Sequence, residues 1–192
     1  MATVQVSAGR ATMSESPDGL LITIPARKNW FLILFMGFWL LGWFFGEVTA
    51  ISQIIRGHLP HGTNLKGGLP IGVNLFLLVW LGGWTIGGAF AMVAWLWNFA
   101  GVEKVLLGHF TLTTKREVFG IGPLKEFKLG NVTNLRINMG LSNATQLMGH
   151  FQMMNGGTIA FDCGARTFRF GVVLDEAEAD QIIARLRSRL TF

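Results

Sequence analysis

Residues 29–46 read NWFLILFMGFWLLGWFFG, and residues 73–99 read VNLFLLVWLGGWTIGGAFAMVAWLWNF. Neither stretch contains a charged residue, and after Glu47 the first continues as VTAISQII up to Arg56. A helix needs about 20 apolar residues to cross the hydrocarbon of a bilayer, which is about 30 Å thick. The sequence therefore predicts two transmembrane helices, at 29–53 and 73–99.

The composition of the chain is typical of a membrane protein. Its 192 residues are 51% apolar and only 14% charged, whereas soluble domains carry about 25% charge. The net charge is +5, and cations beside a bilayer face its head groups. The predicted partners are membrane lipids and either a membrane protein or a second copy of the chain. No basic run interleaved with aromatics indicates nucleic acid, so no nucleic-acid partner is predicted.

The segment between the helices, 56–72, is predicted to be a loop because it contains two prolines and five glycines. It carries two cations, whereas Arg27, Lys28 and Lys104 flank the other ends of the helices. The excess of cations on that side predicts, by the positive-inside rule, that both termini are cytoplasmic in a multi-pass protein.

Both helices contain glycines four residues apart: Gly42 with Gly46, and Gly83 with Gly87. Such pairs let two helices approach closely in lipid. Counted from the charged ends of the helices at about 1.5 Å per residue, the two pairs lie at similar depths in an antiparallel hairpin. The spacing predicts that these four glycines form the contact between the helices, and the alternative is that they are ordinary membrane glycines.

Glu47 is the only charged residue within the predicted spans. It lies roughly 28 Å from Lys28 along the helix, near the far membrane interface. Trp84 is expected at the same level and could donate its indole N–H. Three interpretations stay open: an acid at a helix end, a contact with a partner subunit, and a proton or ion site.

After the second helix the sequence pattern changes from helical to alternating. Residues 103–174 contain short alternating runs separated by glycine-containing turns, which indicates a compact antiparallel sheet or barrel. Residues 20–24, before the first helix, read as a further strand that ends at Pro25. Residues 1–18 are polar and are predicted to form a flexible tail.

The chain closes with a predicted amphipathic helix at 175–190. Asp175 and Glu178 fit a capping box. Arg185, Arg187 and Arg189 occupy the last turns, where the helix dipole favours cations. A second interpretation is that these arginines contact a partner or anionic head groups, which contribute about 1 kcal/mol for each cation near the surface.

No group of residues indicates a reaction. His58 and His61 form the only close histidine pair, and a metal site needs further ligands. Cys163, the single cysteine, has no activating neighbour in the sequence. A zinc-protease helix, a phosphate-binding loop and a Ser/His/Asp set are not present. The sequence therefore predicts a protein that is not an enzyme and has no catalytic residue, metal or cofactor.

The region after the helices resembles a known class of protein. It contains KEFKLGNVTNLRI at 125–137, GTIAF at 157–161 and TFRFG at 167–171, followed by the helix at 175–190. This order resembles small bacterial membrane proteins that fuse a transmembrane hairpin to a pleckstrin-homology-like (PH-like) domain.

The resemblance implies a membrane α + β fold. A PH-like antiparallel barrel or sandwich at 103–192 would be capped by the C-terminal helix. The strand at 19–27 would join it, with the transmembrane hairpin at 28–102 inserted after that strand. The resemblance also implies the bacterial inner membrane as the location.

Domains of this class mainly bind lipids, peptides or proteins, so the resemblance implies an accessory or scaffold protein. In this interpretation the hairpin packs in a membrane complex, and the PH-like domain binds a protein on the cytoplasmic face. The alternative is a protein that binds or senses an anionic lipid surface.

Overall fold

A computed structural model describes residues 3–5, 9–55, 71–138, 156–172 and 174–189. The contacts divide the chain into two compact units. One, here the sheet unit, comprises Met1–Lys28 and Leu96–Phe192, and the other, the helical unit, comprises Asn29–Trp95. The chain thus leaves the sheet unit for the helical unit and then returns to it.

The helical unit is made by two long apolar helices, α1 (Trp30–Ile55) and α2 (Ile71–Ala100), the second of which ends within the sheet unit. Their candidate spans, Trp30–Ser52 and Val79–Ala100, are long and apolar enough to cross a membrane. Only 17% and 6% of the most apolar windows of these spans are buried. The core helix of a soluble protein is mostly buried, so this exposure favours a membrane protein.

The larger sheet of the sheet unit is antiparallel, and the six strands that the described residues contribute to it follow chain order. They are β1 (Thr3–Gln5), β2 (Thr12–Ser16), β3 (Gly19–Pro25), β4 (Gly101–Leu107), β5 (Thr111–Val118) and β6 (Leu124–Lys128). β3 and β4 pair directly, with Ile22 opposite Val105. Alternate residues of both strands are buried because side chains of a strand point to opposite faces in turn. The helices are therefore inserted between two paired strands.

The prediction of a flexible tail at 1–18 is wrong for β2, which pairs with β3 along its whole length. The polar composition of TMSES gave no alternating signal, and only Met13 among its residues packs against the core. Backbone hydrogen bonds, which any sequence without proline can make, hold this strand in the sheet. A turn at Pro17 and Asp18 joins the two strands.

The smaller sheet is also antiparallel and contains β7 (Val132–Ile137), β8 (Ile159–Cys163) and β9 (Arg166–Phe170), in that order. The chain then forms the C-terminal helix α3 (Glu176–Arg189). Within the described residues neither sheet closes into a barrel. The antiparallel sheets and the closing helix are confirmed, and the fold is α + β.

The C-terminal helix begins at the predicted capping box. The Glu178 backbone N–H donates to Asp175 Oδ1 at 2.7 Å, and the Asp175 N–H donates to Glu178 Oε2 at 3.2 Å. Glu178 Oε1 also accepts a hydrogen bond from the backbone N–H of Arg10. The apolar face of α3 packs into the core of the sheet unit through Ala179, Ile182, Ile183 and Leu186.

Candidate functional site

The glycines that were predicted to join the helices share exposed positions: Gly42, Gly46, Gly83 and Gly87. A Cβ built on any of the four would meet nothing within 4 Å, so the predicted contact is wrong. Two other glycines make the contact. A Cβ on Gly37 would lie 3.4 Å from Nε1 of Trp95, and one on Gly88 would lie 2.0 Å from Cε2 of Trp43. Large indole rings therefore fill the space that these two glycines leave.

The prediction of the glycine contact was wrong about the rotation of each helix about its axis more than about the depth at which the helices meet. The prediction placed Gly42 close to the level of Gly87, and the structure places Trp43 against Gly88. Successive residues of a helix are rotated by about 100° about its axis, so a shift of one residue moves a side chain to another face. Four-residue spacing of glycines fixes how they line up along the helix, but not which way they face.

Glu47 explains the rotation of α1. It is buried, together with Ile33 and Leu40, at intervals of seven residues, so the three share one face of the helix. Its Oε1 accepts a hydrogen bond from the hydroxyl of Thr85 on α2. A buried carboxylate without a hydrogen-bond partner costs free energy, and this rotation gives Glu47 a donor on α2.

Trp84, the predicted donor, makes no hydrogen bond to Glu47. Trp84 is exposed, and its ring stacks on Trp80 with the centroids 6.2 Å apart. Its neighbour Thr85 makes the bond with Glu47 instead. This contact within the chain does not decide among the three interpretations of Glu47.

Two buried side-chain polar atoms have no hydrogen-bond partner in the described part of the helical unit: Glu47 Oε2 and the indole nitrogen of Trp43. They belong to residues one helical turn apart on α1, which are neighbours on the helix surface. Trp95, by contrast, donates its indole N–H to the carbonyl of Ile33 at 2.8 Å. The helix contact thus contains a small polar centre around Glu47.

An ion pair of the larger sheet, with a buried acid, also bonds to the backbone beside the smaller sheet. Arg116 Nε on β5 donates to Glu103 Oε1 on β4 at 2.9 Å. Glu103 Oε2 accepts from the backbone N–H of Gly171, after β9, at 2.8 Å. Arg116 also donates to the carbonyl of Gly156, before β8, at 2.8 Å. These bonds fix the position of one sheet relative to the other.

Sequence reasoning missed this ion pair, although a signal was present. Glu103 follows Gly101 and precedes Val105 at intervals of two, and all three face inward in β4. An acid at an inward position of an alternating strand predicts a buried cation close by. The partner, thirteen residues further along the chain, is found only from the register of β4 and β5, which places Arg116 opposite Glu103.

A groove of about 590 Å³ lies beside this ion pair, lined by residues of both sheets. Its apolar part consists of Phe127 on β6, Phe161 on β8 and Phe168 on β9. The rings of Phe127 and Phe161 meet edge to face with their centroids 5.1 Å apart, and those of Phe127 and Phe168 lie 4.5 Å apart. Aromatic rings provide a large contact area at low cost in conformational entropy.

The polar part of the groove is cationic. Arg116, Lys125 and Arg169 line it together with one acid, Glu103. Arg116 is already paired with that acid, whereas Lys125 and Arg169 are exposed. No ion pair among the described residues involves either of these two side chains. The groove therefore presents the positive charges of Lys125 and Arg169 to a bound ligand.

Edge strands flank the groove on both sides. Among the described strands, β6 is the last of the larger sheet and β9 is the last of the smaller one. An edge strand presents backbone N–H and C=O groups that can pair with an added strand. The groove thus combines backbone hydrogen-bonding groups, an aromatic surface and positive charge.

Two other acids of the sheet unit, Asp162 and Glu117, are held as carboxylates by hydrogen bonds. Bonds from Arg136, Thr167 and Asn134 hold the pKa of Asp162 well below its usual range. Bonds from Lys104 and Lys115, at 2.5 and 2.8 Å, lower the pKa of the Glu117 carboxyl. A carboxylate that accepts several hydrogen bonds is a poor base and a poor nucleophile.

The C-terminal arginines make contacts within the chain. Arg185 Nη2 lies 3.6 Å from Glu15 Oε1, and Arg189 pairs with the same oxygen. Arg187 donates to the carbonyl of Leu135 at 2.7 Å. These bonds attach α3 to strands β2 and β7. Their contact with a partner or with head groups stays a prediction.

Among the described residues no group of three or more His, Cys, Asp and Glu side chains could hold a metal ion. The predicted histidine pair, His58 and His61, and most of the predicted loop at 56–72 lie outside those residues. In comparisons with protein-family models, with curated proteins and with solved structures, nothing matches this chain.

Proposed function

We propose that the chain is a non-enzymatic accessory or scaffold protein of the bacterial inner membrane, whose PH-like domain binds an acidic, extended segment of a partner protein on the cytoplasmic face. In this proposal α1 and α2 form the transmembrane hairpin. The groove between the sheets is the binding site.

The exposed apolar surface of the helices supports membrane insertion. Both candidate spans reach at least 22 residues, and about 20 are needed to cross the hydrocarbon. The cations Arg27, Lys28 and Lys104 lie on the side from which the chain enters and leaves the helices. That charge distribution supports a cytoplasmic location for the sheet unit.

The order of elements supports a PH-like domain. Short antiparallel strands in two sheets are followed by a single C-terminal helix that packs on the core, as the resemblance implies. Domains of this architecture bind ligands and partners and are seldom catalytic, and the hydrogen-bonded carboxylates Asp162 and Glu117 suit structural roles better than acid–base chemistry.

The observation that carries the binding proposal is the position of Lys125 and Arg169. Each belongs to an edge strand, each lines the groove, and neither has an acidic partner among the described residues. An extended peptide can add to the edge of a sheet through its backbone, while side-chain pockets provide specificity. Acidic side chains on such a peptide would complement the two cations and also steer its approach.

The alternative function, binding of an anionic lipid surface by the arginines of α3, has less support. Arg185 and Arg189 are both paired with Glu15, which neutralises part of their charge. Arg187 is engaged with a backbone carbonyl. The groove cations, in contrast, have no such partner.

A pair of matched charge reversals tests the proposed site. Full-length Lys125→Glu/Arg169→Glu reverses both groove charges, and Lys128→Glu/Arg166→Glu makes the same change on exposed residues of the same strands that do not line the groove. Each variant is purified from the membrane of the cells that express it, and co-purified proteins are quantified by mass spectrometry.

We expect one partner with an acidic segment to be lost by about tenfold or more from the groove variant and to be kept by the control, because tenfold corresponds to only about 1.4 kcal/mol of binding free energy. Equal recovery of every co-purified protein with both variants would contradict binding in the groove.

A further inference from the structure

The turn between β5 and β6 is a tight and well-fixed hairpin. Val118 and Ile121 exchange backbone hydrogen bonds of 2.9 and 3.1 Å across it. The two residues between them, Phe119 and Gly120, have φ angles of 52° and 82°. Lys115 closes the turn by donating from Nζ to the carbonyl of Gly120 at 2.8 Å. The tip of this hairpin therefore presents its side chains in a fixed arrangement.

Those side chains are apolar and face outward. Phe119, Ile121 and Leu124 are 70%, 82% and 59% exposed. A bulky residue at positive φ is an outlier, and turns of this type favour asparagine or glycine there. Phe119 thus occupies a conformation that its side chain disfavours, and the core of the sheet unit gains nothing from it. Three exposed apolar side chains within six residues form a patch, here called the tip patch, which indicates an interaction surface.

The position of the tip patch in the sheet indicates what it touches. β4 begins at Gly101, directly after α2 ends at Ala100, and Gly101 is the residue that pairs with Val118. The backbone N–H of Ala26, where the chain leaves the sheet, donates to the carbonyl of Gly101 at 2.9 Å. The tip patch is thus at the end of the sheet from which the chain passes into both helices.

That end of the sheet follows α2 directly in the chain, since α2 ends at Ala100 and β4 begins at Gly101. A Cβ on Gly101 would lie 2.4 Å from the carbonyl oxygen of Trp97, in the last turn of α2. The helix therefore changes into the strand within a single residue. If α2 spans a bilayer, as proposed above, Val118 is one strand spacing, about 4.8 Å, from the residue at which that span ends.

We infer that Phe119, Ile121 and Leu124 insert into the interfacial layer of the bilayer, as an additional contact beside the two spans. Aromatic and apolar side chains favour this layer next to spanning helices. Lys104 and Lys115, with the single acid Glu117 between them, provide a net positive charge near the same end of the sheet. The occupant of the tip patch is accordingly lipid, and the inference rests on the proposed membrane insertion.

Site-specific fluorescence in nanodiscs tests this inference on the full-length chain. In a Cys163→Ala background, an environment-sensitive NBD probe is attached at one introduced cysteine: Ile121→Cys in the tip patch, Phe110→Cys as control, or Phe90→Cys on α2. Phe110 is 85% exposed in the turn between β4 and β5. That turn is about 20 Å away, at the opposite end of the same strands. The nanodiscs are compared with and without spin-labelled phospholipid.

The inference predicts that spin-labelled lipid quenches the probe at Ile121→Cys and at Phe90→Cys at least threefold more than at Phe110→Cys. If the probe at Ile121→Cys is quenched no more than that at Phe110→Cys while the α2 probe is quenched, the inference is overturned and membrane insertion stands. A blue-shifted probe at Ile121→Cys without lipid quenching would mean a protein contact and overturns it equally. Absence of quenching at Phe90→Cys would overturn the proposed membrane insertion and this inference with it.

Discussion

Thr85 connects the two helices by donating its hydroxyl hydrogen bond to Glu47, and the same hydroxyl oxygen lies 2.8 Å from the carbonyl of Leu81. A threonine hydroxyl has one proton to donate. The Glu47 carboxylate and the Leu81 carbonyl therefore compete for this proton. The hydrogen bond to Glu47 is weaker the more the hydroxyl donates to Leu81.

The contact between Thr85 and Glu47 predicts a loss of stability in Thr85→Val. The substitution leaves both carboxyl oxygens of Glu47 without a donor. The expected decrease in the free energy of unfolding is about 0.6 kcal/mol, the average for hydrogen bonds between membrane helices, and at most about 1.7 kcal/mol. Titration with SDS, followed by tryptophan fluorescence, measures it, because all seven tryptophans lie in α1 and α2.

Glu47→Gln is the matched variant. Its amide N–H can donate to the Thr85 oxygen while Thr85 donates to Leu81, so we expect a smaller loss than in Thr85→Val. Unchanged stability of Thr85→Val would contradict the role given to this bond.

The contact between Gly88 and Trp43 predicts different outcomes for two glycines on the same helix. Gly88→Leu would place a Cβ 2.0 Å from the Trp43 ring, and overpacking of this kind costs about 1–3 kcal/mol. A Cβ at Gly83 meets nothing within 4 Å, so Gly83→Leu should leave the stability of the helices unchanged. The same SDS titration compares them. Equal effects of the two substitutions would show that the helices pack through another face.

The buried pair of Glu103 and Arg116 predicts a large loss in Arg116→Met. Removing one partner of a buried ion pair leaves an uncompensated charge and costs about 3–5 kcal/mol. Hydrogen–deuterium exchange of peptides from β4 and β5 measures the loss within the sheet unit. Lys128→Met, which removes an exposed cation of the same sheet, serves as control and should alter exchange little. Similar protection in both variants would mean that Glu103 does not depend on Arg116.

The lowered pKa of Asp162 predicts a contribution to stability that acid removes. Hydrogen bonds from Arg136, Thr167 and Asn134 favour the carboxylate, so the folded pKa lies below the unfolded value. The contribution is complete above the unfolded value, about 3.9, and is lost as the pH falls through the folded pKa.

The melting temperature of Asp162→Asn should therefore lie below that of the wild type at neutral pH. The difference should narrow as the pH falls below about 3.9. Circular dichroism of the full-length protein in detergent follows both transitions. A difference that stays constant from neutral to acidic pH would contradict the account.

The sequence pattern predicted the elements that carry a strong local signal. The two helices at 29–53 and 73–99 were found at Trp30–Ile55 and Ile71–Ala100 because uncharged runs of that length have few alternatives. The capping box of Asp175 and Glu178 was found because its residues and spacing are specific.

Features that depend on rotation or on distant pairing were not predicted. The glycine face was wrong because spacing does not specify which side of a helix turns inward, and that side is determined by Glu47, Trp43 and Gly88 together. Strand β2 was missed because its polar residues contribute backbone bonds rather than a pattern. The groove, with Lys125 on one sheet and Arg169 on the other, exists only after both sheets have formed.

The central claim, that α1 and α2 cross the bilayer as a hairpin and leave the sheet unit on the cytoplasmic side, is tested most directly by labelling with a membrane-impermeant maleimide. In a Cys163→Ala background, Lys128→Cys marks the exposed side of β6, and Lys66→Cys marks the connection between the helices, which lies outside the described residues. Sealed inner-membrane vesicles of both orientations are compared. The account predicts that Lys128→Cys is labelled only when the cytoplasmic face is outside, and Lys66→Cys only when it is inside. Labelling of both positions from the same face of intact vesicles would contradict it.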